Sequence, residues 1–188
     1  MNYFCETKRL VLQVLPSYYK KQVLEFYERN REHLEPWEAE REKNFYTEDY
    51  QKLLLEAEYQ EIMKARMLRY YLFLQDNPDK VIGSVSASGI RHGAFECCNI
   101  GYKLDKDYCG YGFAREAVQK LVEILFSQYH LHRVEAMVHP DNTPSIALLE
   151  ALSFQREGLS RDAAKVNGRW QDMYRYAHIN METERNGG

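Results

Sequence analysis

The apolar positions of the chain change period several times, and each change marks an element. "RLVLQVL" (Arg9 to Leu15) is a nearly continuous apolar run ended by Pro16, which predicts an opening strand. Tyr19, Val23, Phe26 and Tyr27 then fall at helical spacing. "REHLEPWE" breaks that spacing at Pro36 and puts Trp37 in a loop. A second helix is predicted from about Thr47, with Tyr50, Leu53, Leu54 and Ala57 as its apolar side.

After Arg69 the period shortens to that of strands. "YYLFLQ" and "VIGSVSASGI" flank the turn "DNPDK", and "FECCNIGYKL" (Phe95 to Leu104) follows with Gly101 as a candidate bulge. A helix comes next, its apolar face made by Val118, Leu121, Val122, Leu125 and Tyr129. "RVEAMVH" alternates as a strand, and "DNTPSIALLEALSF" reads as a short helix with Pro144 in its first turn. Two last strands are joined through Asn167-Gly168. The resulting order, β-α-α-β-β-β-α-β-α-β-β, is a mixed α/β (α+β) domain without the regular alternation of a doubly wound sheet.

Between the strand "GYKL" and the following helix stands "CGYGFA", Cys109 to Ala114. Glycines there let backbone N–H groups approach a ligand without a Cβ in the way. The first helical N–H groups lack intrahelical partners and carry the positive end of the helix dipole, so the turn suits a diphosphate. A tight turn that merely packs helix against sheet explains the glycines equally well. The stretch lacks the lysine and Ser/Thr of a Walker loop and the third-glycine spacing of a dinucleotide fold. A diphosphate of another kind, such as coenzyme A, remains.

Composition narrows the setting. The 188 residues are 45% hydrophobic and 28% charged, consistent with one globular domain over 1–188, its core at about 7–180 and residues 181–188 expected to be disordered. A formal net charge of −3 gives no global attraction to nucleic acid, and direct nucleic-acid binding is not expected. Cys5, Cys97, Cys98 and Cys109 form no CxxC, so neither a disulfide framework nor a metal site is expected. No apolar run approaches a bilayer span, and the N-terminus lacks a signal-peptide core. A cytoplasmic protein without a membrane partner is the expectation.

The chain resembles the GNAT superfamily of N-acetyltransferases. Gly112 and Ala114 match the cofactor motif R/Q-x-x-G-x-G/A, with Cys109 at the position of its Arg or Gln. "TKRLVLQVL", "NREHLEPWE", "IGYKLDKDYCGYGFAREAV", "HRVEAMVHPDNTPSIALLEALSFQREG" and "VNGRWQDM" stand in the order of the RimJ/RimL branch, which acetylates N-termini of ribosomal proteins. Ser153 replaces the glycine of "LGF", and Asn99 stands where relatives often have Glu.

The resemblance implies a mostly antiparallel sheet flanked by helices and acetyl-CoA as cosubstrate. It implies that Tyr102, Lys103 and Leu104 lie along the pantetheine arm, and that Cys109, Gly110, Tyr111, Gly112, Phe113 and Ala114 wrap the diphosphate. Asn142 would bind the pantetheine; Ser145 would sit near the thiol and protonate the departing thiolate, although both residues also suit plain N-capping. Glu157 and Glu96 are the carboxylates to test as base or acceptor ligand, and Trp37 is assigned to the acceptor mouth. Cys109, near a helix N-terminus, is a candidate for a lowered thiol pKa.

The expected reaction is direct attack of a primary amine on the thioester. An α-amine with pKa near ~8 costs only about 1.4 kcal/mol to deprotonate at pH 7, a lysine about 4.6 kcal/mol. A site without an assured base therefore leans toward a protein N-terminus, such as that of a ribosomal protein. The alternatives are a small amine (polyamine, amino acid or antibiotic) and a non-catalytic coenzyme A-binding module. A homodimer is left open.

Overall fold

The computed structural model describes residues 3–181; the tail expected to be disordered lies outside them, Met181 excepted. Eight strands form one sheet in the order β1-β2-β3-β4-β5-β6-β8-β7. In chain order they are β1 (Phe4–Glu6), β2 (Leu10–Gln13), β3 (Met67–Leu74), β4 (Gly83–Arg91), β5 (Cys97–Leu104), β6 (Arg133–Val138), β7 (Gln155–Val166) and β8 (Arg169–Ile179). Five helices accompany them: α1 (Lys20–Arg29), α2 (Arg31–Leu34), α3 (Glu48–Met63), α4 (Phe113–Ser127) and α5 (Thr143–Ala151). Every neighbouring pair is antiparallel except β5 and β6. The expected mixed, mostly antiparallel architecture is the observed one.

The helices divide between the two faces of the sheet. On one face α4 buries Ala117, Val118, Leu121 and Leu125 against Cys98, Ile100 and Val134. On the other, Val23, Phe26 and Tyr27 of α1 and Leu55 of α3 pack with Tyr71 and Phe73 of β3. Alternation along β3 sends successive side chains to the two cores, so this strand is buried on both faces.

Three expectations need correction. β1 was not anticipated, because three residues carry no visible period; it pairs with β2 through Cys5↔Leu12. α3 turns Gln51, Leu55, Glu58 and Ile62 inward, whereas Leu53 is exposed. Two polar residues on the buried side hid its true face. The bulge lies in β4, between Ser88 and Arg91, where Gly89 has φ +59°; Gly101 pairs in register with Ser86.

Only three residue pairs join β5 to β6, from Cys97↔Arg133 to Asn99↔Glu135. Beyond Asn99, β5 stays with β4 and β6 stays with β8, so the two parallel strands splay apart. At the far edge, Asn167 (φ +48°) and Gly168 (φ +76°) make the two-residue turn of the β7–β8 hairpin, as "NG" predicts.

α5 ends in a left-handed residue that is not glycine. Ser153 has φ +63°, its N–H reaches Glu150 O at 3.0 Å, and Phe154 N–H reaches Leu149 O at 3.0 Å. This is the Schellman geometry, in which glycine avoids the Cβ clash. Ser153→Gly is therefore expected to stabilise the fold by about 1 kcal/mol. In thermal unfolding that is a midpoint rise of about 2–4 °C; an unchanged or lower midpoint would show that Ser153 is not strained.

Candidate functional site

The site is assembled where the splay meets two helix N-termini. β5 leads through Asp105 and a short 3-10 turn (Lys106–Tyr108) into the glycine turn and α4. Gly110 has φ +84° and Gly112 φ +80°, a left-handed backbone at both. A Cβ at Gly110 would meet nothing within 4 Å, so that side of the turn is open space. Among the described residues, no acceptor takes up the N–H groups from Gly110 to Arg115. The turn thus presents a run of donors at a positive helix end, a cradle for an anion.

Asp105 fixes where that turn begins. Its side chain is fully buried, accepts the Arg29 Nε–H at 2.6 Å and receives Asp107 N–H at 3.1 Å. Arg29 also donates to Val81 O, and Asn30 Oδ1 accepts Lys106 N–H at 3.0 Å. Burial pushes the Asp105 carboxyl up, but the Arg29 hydrogen bond and the Asp107 N–H outweigh it and hold it below the usual range.

From the other side, Arg9 closes on the turn. Its Nε meets Glu116 at 2.7 Å, its Nη1 donates to Tyr111 O at 2.8 Å, and its guanidinium lies 4.5 Å from the Phe113 ring centroid. Thr7 Oγ1 also donates to Glu116, at 2.7 Å. Arg9 brings a cation to the turn whose motif position holds Cys109. Sequence reasoning quoted Arg9 but gave it no role, since Glu116 lies 107 residues away.

Cys109 departs from its expectation. Burial raises the thiol pKa, and the nearby Asp105 carboxylate raises it further, so the helix end does not produce a thiolate. Its Sγ lies 3.8 Å from His33 Nε2.

Across the splay, Asn142 caps α5, its Oδ1 accepting Ser145 N–H at 3.2 Å. This is the capping role, and it leaves the Asn142 amide N–H groups unused among the described residues. Tyr102 reaches over from β5 and donates its hydroxyl to Ser145 O at 3.3 Å. Burial pushes the Tyr102 pKa up to about 12, so it keeps its proton at neutral pH. Tyr102 and Leu104 pack toward the α4 face, whereas Lys103 projects to the other and pairs with Glu38. Only the backbone of Lys103 is therefore left to run along the splay.

The opposite opening of the splay lies on the α1–α3 face. Asn99 and Glu135 form the last pair before the strands part. Arg133 bridges two carboxylates there, with Nε on Glu135 at 2.7 Å and Nη1 on Glu157 at 2.8 Å; Arg175 approaches Glu135 at 3.6 Å. The Arg133 hydrogen bonds hold Glu157 below the usual carboxylate range. Glu157 is thus ionised at neutral pH but a weak proton acceptor. Glu135, at the apex, had no motif to announce it.

Glu96 is not brought to this opening. It sits at the paired end of β5 with φ +40°, and its carbonyl accepts His132 N–H at 2.8 Å and Arg133 N–H at 3.0 Å. The splay opens at the other end of the strand, beyond Asn99, so the structure does not bring Glu96 together with Glu135 and Glu157.

Trp37 ends a 3-10 turn (Glu35–Trp37) and lies beside His139, with ring centroids 5.9 Å apart and planes tilted by 59°. The segment 35–41 then crosses the opening as a strap. Glu38 O accepts Asn167 N–H from the hairpin turn at 3.1 Å, while the Glu38 carboxylate pairs with Lys103 and Arg41. Burial opposes that charge, but the two cations outweigh it and lower the Glu38 pKa.

A family model described as the acetyltransferase (GNAT) domain matches residues 9–155. The chain belongs to the GNAT acetyltransferase family. It is 36% identical over 155 residues to YjcK of Bacillus subtilis (strain 168), named a probable N-acetyltransferase, covering 82% of this chain and 85% of that one. The structure of a ribosomal-protein-S5-alanine acetyltransferase from Vibrio fischeri superposes with a TM-score of 0.90 at 29% identity, covering 96% of this chain and 98% of that one. RimJ of Mycobacterium smegmatis in complex with CoA-disulfide gives a TM-score of 0.87 at 28% identity, covering 92% and 83%. The chain is accordingly an acetyl-CoA-dependent N-acetyltransferase.

The residues present fit that cosubstrate: the unpaired N–H run at the glycine turn suits a diphosphate, and the splay leaves strand edges for an amide-bearing arm. A Cβ at Gly112 would meet Arg9 Nη2 at 3.4 Å, so Gly112→Glu sets a carboxylate against the cation that Arg9 brings to the turn and adds a negative charge beside the diphosphate, expected to cost about a hundredfold in affinity. Calorimetric titration is expected to show that loss with an unchanged far-UV spectrum; retained affinity would remove the diphosphate from the turn.

Asp105 yields a second prediction. A carboxyl lowered in the folded state stabilises the protein above its unfolded pKa of about 3.9, and the contribution is lost as pH falls through the folded value. Asp105→Asn leaves Arg29 without its charge partner and is expected to cost about 3 kcal/mol at pH 7. The cost should shrink below about pH 4, where the wild type loses the same contribution. An equal cost at both pH values would argue against the ion pair.

Proposed function

We propose that this chain acetylates the N-terminal α-amine of a protein by direct attack of the free amine on the acetyl-CoA thioester. The observation that carries the reading is the strap: the Glu38–Asn167 backbone bond and the Glu38–Lys103 pair bridge the acceptor side of the splay. A passage roofed in this way suits a narrow, extended chain end better than a lysine on a folded surface. The ribosomal-protein name of the Vibrio fischeri relative supports the same class of acceptor.

Acetyl-CoA supplies the activated acetyl group. Asn142 and the backbone of β5 hold its arm, and the glycine turn its diphosphate. Ser145, in the first turn of α5, gives its N–H to the Asn142 cap and its carbonyl to Tyr102, and its hydroxyl is assigned the proton for the departing sulfur. Tyr102 stays protonated and acts by bracing Ser145 through its carbonyl. Glu157, held ionised by Arg133, orients the amine rather than taking a proton outright. The amine must then arrive largely deprotonated, which costs an α-amine about 1.4 kcal/mol at pH 7.

A polycationic small amine is the second reading. Glu38, Glu135 and Glu157 are each already ion-paired with lysine or arginine, which weighs against it.

The test is turnover of short peptides against a panel of polyamines, amino acids and aminoglycosides, across pH. With an α-amine acceptor, kcat/KM is expected to rise about tenfold per unit and level off near pH 8. A rise continuing toward pH 10 would mark a lysine acceptor, and turnover of small amines alone would overturn the proposal.

A further inference from the structure

Beside the strap lies a cavity of about 380 Å³. Pro36 and Trp37, His139, and Asn167, Arg169 and Gln171 of the hairpin are among the residues that line it. Its hydrogen-bonding capacity is lopsided. His139 Nδ1 accepts Asp141 N–H at 3.2 Å, which places the ring hydrogen on Nε2, 3.4 Å from Gln171 Oε1. Those two acceptors are therefore used. Among the described residues, the Gln171 amide N–H groups, the Trp37 indole N–H and the Arg169 guanidinium have no partner. No carboxylate lines the wall; Glu40 lies beside Gly168 and Asp141 beside His139, both outside it.

We infer that this cavity is an acceptor subsite for a carboxylate-bearing side chain close behind the reacting amine. The inference rests on the N-terminal reading above and adds a sequence preference to it. Unused donors with one guanidinium favour an occupant that brings acceptor oxygens, and charge-assisted bonds to a carboxylate are the strong form of that match. From Glu135 at the apex to His139 is four residues, about 13 Å at strand rise. With the amine at the apex beside Glu135, two or three steps of an extended acceptor cover about 7–10 Å and the length of a glutamate side chain covers the rest, which places the acidic side chain at position 3 or 4.

The test uses the full chain with acetyl-CoA and peptides Ser-Ala-Ala-Xaa-Ala-Ala and Ser-Ala-Xaa-Ala-Ala-Ala, in which Xaa is Glu, Ala or Lys. The Glu peptide at one of these positions is expected to exceed its Lys counterpart about tenfold in kcat/KM, mostly through KM. In Arg169→Ala the ratio of Glu to Ala peptides should fall to about one, and in Arg169→Glu the Lys peptide should become the better substrate. Arg169 is exposed, so these variants fold; their thermal midpoints verify it. Peptides acetylated at equal rates whatever Xaa is would overturn this inference alone. An acid preference that survives Arg169→Ala together with Gln171→Ala would overturn the subsite. Small amines acetylated while every peptide is refused would remove the N-terminal reading and the subsite with it.

Discussion

The buried contact between Asp105 and Arg29 is the constraint from which the site is built. It joins the end of β5 to α1 and is reinforced by Asn30 from the same helix end. An ionised carboxylate with no solvent exposure is tolerated only when its oxygens are satisfied, and here a guanidinium and a backbone N–H do so. Because the charge would be costly anywhere else, the chain has one way to leave β5. The glycine turn therefore starts at a fixed point and in a fixed direction, and α4 inherits both.

The remaining parts are held by contacts of the same kind rather than by contact with a ligand. Arg9, the residue before β2, pins the first turn of α4 through Glu116, and Tyr102 sets the distance between β5 and α5. The two helix ends face one splay because neither is free to rotate away. Donors arranged before a ligand arrives need no reorganisation at the moment of reaction, which is how a site with few ionisable catalysts can still act.

Much of this was legible in the sequence wherever a local pattern carried it. α4, the glycine turn, the Asn142 cap and the Asn167-Gly168 hairpin follow from spacing and turn chemistry within a few residues. What escaped was fixed by long-range contacts. Asp105 reads as one charge in "LDKD" until Arg29 is placed on it, and Glu135 reads as an outward strand residue until β5 parts from β6 beside it. α3 misled because Gln51 caps Phe45 O from within the core and Glu58 pairs with Arg69, so its buried stripe is half polar. Glu96 lies away from the opening because β5 starts only at Cys97, after the left-handed Glu96, and parts from β6 at its other end, beyond Asn99.

The strap makes the two halves of the site separable. Its fastenings run to the hairpin turn and to Lys103, whereas the glycine turn is held by Arg9 and, through Asp105, by Arg29. Different side chains therefore grip the two halves, and exchange of strap or hairpin residues changes which acceptor is admitted while the grip on the cofactor stays as it was.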